Sequence, residues 1–213
     1  MSFKVNALHK LGFQVLLWVT PFCDVNASVY KEGVQHRYWV MTKYDITSPA
    51  KVRWWNNQHE GSAVLDVTNP NALRWFTQRL QQLKYSLGID GFKLDAGEVS
   101  YIPSPSTSAY FNISQLGNGT LLNEYTRLYN SITDNLAGWT EMRSAWKHQA
   151  TPEFLRIMDL DSTWGRDNGL RAMIPRVLLF STLGYRYTLP DMIGGNGYGP
   201  GRILFNYSSI CNI

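Results

Sequence analysis

Asp95 and Asp159 are the carboxylates of this sequence best placed for chemistry. Each ends a short strand candidate, Ile89–Asp95 in the first case and Phe154–Asp159 in the second. Acidic residues at the ends of two different strands can serve one substrate. One carboxylate attacks a carbon while the other donates a proton and later removes one. Hydrolysis of a glycosidic bond with retention uses such a pair, about 5–5.5 Å apart across the scissile bond. The nucleophile must stay ionised, and the proton donor needs a raised pKa to hold its proton near neutral pH.

Rival carboxylates stand close by. Glu98 follows Asp95 by three residues, and Asp161 follows Asp159 by two. Residues two apart on a strand share a face, so spacing alone leaves Asp159 and Asp161 open as the proton donor. The same rule puts Lys93 on the face of Asp95. A lysine in a buried strand is costly without a partner, so it is expected to meet that carboxylate. Arg143 ends another short run, Trp139–Met142. Its planar fork of donors suits adjacent hydroxyls and also restrains carboxylates, with a structural ion pair as the competing role. No His-rich or Cys-rich cluster suggests a metal, and this chemistry calls for neither a metal nor a cofactor.

The elements that must position these residues alternate in type. Phe13–Phe22 is a nearly continuous apolar run, expected as a strand buried on both faces. Leu73, Phe76, Leu80, Leu83 and Leu87 recur at helical spacing between Thr68-Asn69-Pro70 and Gly88, a start and a stop. A strand is expected over 89–95, then a helix through Leu121, Tyr125, Leu128, Tyr129, Ile132 and Leu136. Strands at 139–143 and 154–159, a helix through Leu170, Ile174, Val177 and Leu178, and a strand at 185–189 complete the series. Alternation of this kind implies parallel strands joined by crossover helices.

An open doubly wound sheet is disfavoured because no Gly-rich phosphate loop follows a strand. A barrel places its chemistry at the C-terminal ends of its strands. Asp24, Asp95, Arg143, Asp159 and Asp191 stand at such ends, which favours the barrel. The fold expected is α/β, a partial (β/α)8 barrel holding approximately strands three to seven, with residues 1–213 as one domain.

Composition agrees with a folded domain, at 44% hydrophobic and 17% charged residues. A net charge of +4 with scattered Lys and Arg does not describe a nucleic-acid surface. Aromatic residues, 14% of the chain, suit both core packing and stacking on sugar rings. Neither a membrane-length apolar run nor a signal-peptide layout is present, so any anchor is expected upstream of this chain. Cys23 and Cys211 are too few for a disulfide framework. Sequons at Asn26, Asn112, Asn118 and Asn206 point to the secretory pathway, with the endoplasmic reticulum lumen expected for the full-length protein.

Gly91-Phe92-Lys93-Leu94-Asp95-Ala96-Gly97-Glu98 resembles the nucleophile strand of glycoside hydrolase family 31. Met158-Asp159-Leu160-Asp161-Ser162-Thr163-Trp164 resembles that family's acid/base segment, with Met158 where Gly is usual. Trp54-Trp55 and Ala63–Pro70 are similar to its approach to the nucleophile strand. The likeness runs from about Gly12 to Gly195 and is strongest to the α-galactosidase-like branch.

This resemblance implies Asp95 as nucleophile and Asp159 as acid/base, the latter five residues before Trp164. It implies substrate binding by Lys93, by Arg143 and by Trp55, with core packing competing at Trp55. The implied activity is retaining exo-α-glycosidase hydrolysis of α-galactosides through a glycosyl-enzyme intermediate. The alternatives are an α-glucosidase or α-xylosidase of the same family, and a truncated product without catalysis. A glycoside or oligosaccharide is the implied partner.

Overall fold

The computed structural model describes residues 2–54, 57–103, 121–192 and 194–197. The chain divides into two compact units, Met1–Thr140 and Glu141–Ile213.

The first unit opens with helix α1 (Ser2–Lys10) and strand β1 (Leu16–Val19). The strand is shorter than its apolar run. Pro21 has no N–H to extend a ladder, so the chain turns there and Phe22 starts a new strand, β2 (Phe22–Asp24). Nor is β1 buried on both faces, since Trp18 is 43% exposed. After the short helix α2 (Tyr30–Gln35), β3 (Lys51–Trp54) and β4 (Asn57–Val64) follow. β4 pairs antiparallel with both β2 and β3. This small sheet was not expected from the sequence, and it corrects the reading of Asp24, which lies in an antiparallel strand rather than at the end of a parallel one.

Helix α3 (Pro70–Leu87) follows the sequence pattern closely. Asn69 Oδ1 accepts the Asn71 N–H at 3.0 Å, a cap that contributes about 1 kcal/mol. Ala72 and Leu80 are buried, with Leu73, Phe76, Leu83 and Leu87 packed beside them, and the helix stops at Gly88. As a crossover it returns the chain to β5 (Gly91–Leu94), which pairs parallel with β1 from Leu16–Gly91 to Val19–Leu94. Phe92 and Leu94 are fully buried, each contributing about 1.5–3 kcal/mol. A Cβ on Gly91 would lie 1.7 Å from the Trp139 carbonyl oxygen, so this close backbone approach requires glycine. The next helical pattern forms α4 (Leu121–Asn130) and then tightens into a 3₁₀ segment, Ser131–Asn135. Tyr125 and Tyr129 of α4 sit in the core of this unit.

Strand β6 (Trp139–Met142) begins in the first unit and ends in the second. In the second unit its last residues pair parallel with β7 (Phe154–Arg156), which pairs parallel with β8 (Thr188–Leu189). Helix α5 (Leu170–Thr182) makes the crossover between β7 and β8. Met142, Leu155 and Tyr185 form one small core, and Ile157, Leu160 and Ala172 another. β7 ends at Arg156, not at residue 159, so Asp159 and Asp161 lie in the loop beyond it. The rule that residues two apart share a strand face therefore does not govern that pair. Among the described residues no helix is long and apolar enough to cross a membrane.

Candidate active site

In the first unit the site is built around the end of β5. Asp95 follows its last residue and is 8% exposed. Its N–H donates to the Val19 carbonyl at 2.9 Å, which extends the β1–β5 ladder by one bond. Its own carbonyl accepts the Tyr129 hydroxyl at 3.2 Å. The carboxylate accepts on Oδ2 the indole N–H of Trp18, at 2.7 Å.

Trp18 stands opposite Lys93 in the β1–β5 register, and Lys93 is half-buried between the buried Phe92 and Leu94. Trp18, Lys93 and Asp95 thus occupy one face. Directly beyond Asp95 the backbone enters the left-handed region at Ala96 (φ 59°) and Gly97 (φ 86°). A non-glycine residue held there stores strain, and such strain clusters at working sites. The turn is held by α4, where the Thr126 hydroxyl donates to the Gly97 carbonyl at 2.7 Å. Glu98 caps the following 3₁₀ turn, Val99–Tyr101, without a side-chain bond to it.

An aromatic cluster flanks Trp18. Trp54 stacks on it with ring centroids 6.4 Å apart, and Phe22 and Tyr101 pack against Trp54 at 4.6 and 5.2 Å. Trp54 is buried, as core packing would have it. Trp55 lies outside the described residues.

In the second unit Arg143 and Asp159 come together. Arg143 follows β6 and is buried, with Nη1 3.8 Å from Asp159 Oδ1. The same oxygen accepts Arg156 Nη1 at 3.1 Å. The Asp159 side chain keeps 37% of its surface in solvent. Asp191, past β8, accepts Arg156 Nη1 on Oδ1 at 2.6 Å. Its Oδ2 accepts the Leu160 N–H at 2.8 Å and Asn196 Nδ2 at 2.7 Å. Asn196 adds backbone bonds from its N–H to Leu160 O and from the Ser162 N–H to its own carbonyl. The loop carrying Asp159 is therefore clamped to the loop that follows β8. Asp161 faces a different setting, an apolar recess with Leu160, Leu170, Met173 and Met192.

Sequence reasoning missed Trp18, Arg156 and Asn196. Arg156 carried a signal, a cation at a strand end like Arg143. Trp18 carried none, because it sits inside an apolar run. Among the described residues no group of three or more His, Cys, Asp or Glu side chains is placed to hold a metal ion.

The model of the glycosyl hydrolases family 31 TIM-barrel domain matches residues 3–199 of the chain. The chain is 40% identical over 209 residues to myogenesis-regulating glycosidase of Mus musculus, covering 93% of this chain and 28% of that protein. It is 27% identical over 121 residues to the SITS-binding protein of Tetronarce californica, covering 57% of this chain and 16% of that one.

Among solved structures, a family 31 sulfoquinovosidase from E. rectale in complex with an aza-sugar inhibitor superposes with a TM-score of 0.76. Its identity is 24%, over 96% of this chain and 30% of that chain. A cycloalternan-degrading enzyme from Trueperella pyogenes, in complex with a covalent intermediate, superposes with a TM-score of 0.69. There the identity is 22%, over 94% of this chain and 27% of that chain. At these identities the structural likeness speaks for the barrel fold alone. The chain spans less than a third of the length of each of these proteins.

Proposed function

The chain belongs to glycosyl hydrolase family 31, and on that premise we propose that its full-length protein is a retaining exo-acting α-glycosidase with Asp95 as nucleophile and Asp159 as acid/base. The observation that carries this reading is the placement of Asp95. It is a nearly buried carboxylate just past a parallel strand, held on one oxygen by the Trp18 indole, with Lys93 on the same face. Asp159 supports the second role, because it combines an anchored oxygen with access to solvent.

The reaction balances as a double displacement. An Asp95 oxygen forms a bond to the anomeric carbon as the bond to the leaving oxygen breaks, and Asp159 gives its proton to that oxygen. Asp159 then takes a proton from water, whose oxygen displaces Asp95 and regenerates both groups. Arg143 and Lys93 serve as donors to sugar hydroxyls, with Arg143 also steadying Asp159. No step draws on a metal or an organic cofactor.

The substrate we propose is an α-galactoside, on the strength of the motif wording shared with the α-galactosidase-like branch. The axial or equatorial 4-hydroxyl alone separates galactose from glucose. A buried polar group left unpaired by the wrong epimer costs on the order of 1–3 kcal/mol. A lumenal location in the secretory pathway is proposed from the sequons. Asn26 and Ser28 are both exposed in the turn after β2, open to a glycosyltransferase, while Asn112, Asn118 and Asn206 lie outside the described residues.

A mechanism-based 2-fluoroglycosyl inactivator tests the mechanism on the full-length protein. Mass spectrometry should find the label on the peptide containing Asp95, and NMR should show the α-anomer released first. First release of the β-anomer would replace retention with inversion.

A further inference from the structure

We propose that Arg156 is a positioning residue, whose guanidinium holds the Asp159 carboxylate in place by tying it to the ends of β6 and β8. The proposal rests on the reading of Asp159 as acid/base. Arg156 is the last residue of β7 and is 6% exposed. A guanidinium withdrawn from water is unfavourable unless it is paired and hydrogen-bonded. Here it meets three carboxylates. Its Nε lies 3.1 Å from Glu141 Oε1 on β6, and its Nη1 lies 3.1 Å from Asp159 Oδ1 and 2.6 Å from Asp191 Oδ1.

One nitrogen thus serves both the acid/base candidate and the strand-end brace. Asp191 passes the restraint on, since its Oδ2 accepts the N–H of Leu160, the residue after Asp159. The side chain of Asp159 and the peptide beyond it are therefore tied to a single Arg156–Asp191 pair. Arg143 cannot replace this tie, because its Nη1 stands farther off, at 3.8 Å. A general acid that loses its orientation loses proton transfer to the leaving oxygen first. Substrates whose leaving groups need no proton feel little of that loss.

The test compares, in the full-length protein, kcat/KM for an alkyl and a 2,4-dinitrophenyl α-glycoside of the cleaved sugar. Arg156→Met should lose about 100-fold or more on the alkyl substrate and less than about tenfold on the dinitrophenyl one. Arg156→Lys keeps the charge without the fork, and should lose about tenfold on the alkyl substrate and under twofold on the other. If Arg156→Met does not fold, the lysine variant carries the same comparison. Equal losses on both substrates, or no loss on either, would overturn the proposal.

Asp159→Asn, measured alongside, separates the two readings. If it shows the leaving-group dependence and the Arg156 variants do not, the positioning role alone falls. If Asp159→Asn lacks the dependence, the acid/base reading falls, and the role of Arg156 falls with it.

Discussion

The indole N–H of Trp18 donates to Oδ2 of Asp95 at 2.7 Å, joining two residues 77 positions apart through the parallel pairing of β1 and β5. A hydrogen bond to a carboxylate contributes about 1.5–3 kcal/mol, and this one also fixes the rotation of the carboxylate. Trp18→Phe keeps the aromatic packing on Trp54 and removes the donor. It should lower kcat roughly tenfold to 100-fold and lower the melting temperature by several degrees. Steady-state kinetics and a thermal melt, run together, check this.

Asp95→Asn should abolish turnover and leave the circular dichroism spectrum unchanged, because the amide keeps the shape and an acceptor for Trp18. Asp159→Asn should spare substrates with good leaving groups, which need little protonation. If all substrates lose equally, Asp161→Asn becomes the variant to measure, despite the apolar recess around that residue.

Asp66 gives the fold of the first unit a pH dependence. Burial pushes its carboxyl up to about 6 from 3.8, against the opposing hydrogen bonds from Thr68. The folded chain therefore holds this proton more tightly than the unfolded chain. Its stability contribution is full below about pH 4 and is lost as pH rises through about 6. Asp66→Asn still accepts from Thr68 and carries no charge. It should flatten the stability profile between pH 4 and 7 and gain up to roughly 3 kcal/mol at pH 7.5. Urea titrations at several pH values measure both.

Gly91→Ala places a methyl group on the Trp139 carbonyl, with the Cβ 1.7 Å from its oxygen. Backbone on both sides leaves no flexible side chain to yield, so a loss of about 3 kcal/mol or more is expected. Soluble yield and denaturant midpoint read the outcome.

Aryl α-galactoside, α-glucoside and α-xyloside, offered to the full-length protein, should be cleaved with galactose preferred by tenfold or more, the discrimination expected from one mispaired hydroxyl. A preference for glucose or xylose would revise the sugar and leave the roles of Asp95 and Asp159 standing.

Local chemistry made much of this molecule legible before its structure. Helix α3 was readable because its apolar period, the Asn69 cap and the Gly88 stop all act within a few residues of one another. The short strand leading into Asp95 was readable for the same reason, and Lys93, Asp95 and Arg143 fall at or beside strand ends as expected, whereas Asp159 lies in the loop beyond β7, which stops at Arg156. The Phe13–Phe22 run was misjudged because an apolar run tells neither where its strand ends nor whether both its faces are covered. It cannot show that Pro21 sends the chain into a second, antiparallel sheet.

What the sequence determined by itself is therefore the alternation of parallel strands with crossover helices and the carboxylates carried beside those strands, since propensity, capping and side-chain period are short-range effects. What only the tertiary structure decided is the company those carboxylates keep. Trp18 reaches Asp95 across 77 positions, and Arg156 reaches Asp191 across 35. An indole in an apolar strand and an arginine at a strand end look like packing and solvation until parallel pairing brings them to a carboxylate. Hydrogen bonds need atoms within about 3 Å, and no local rule specifies which distant residues the fold will bring that close.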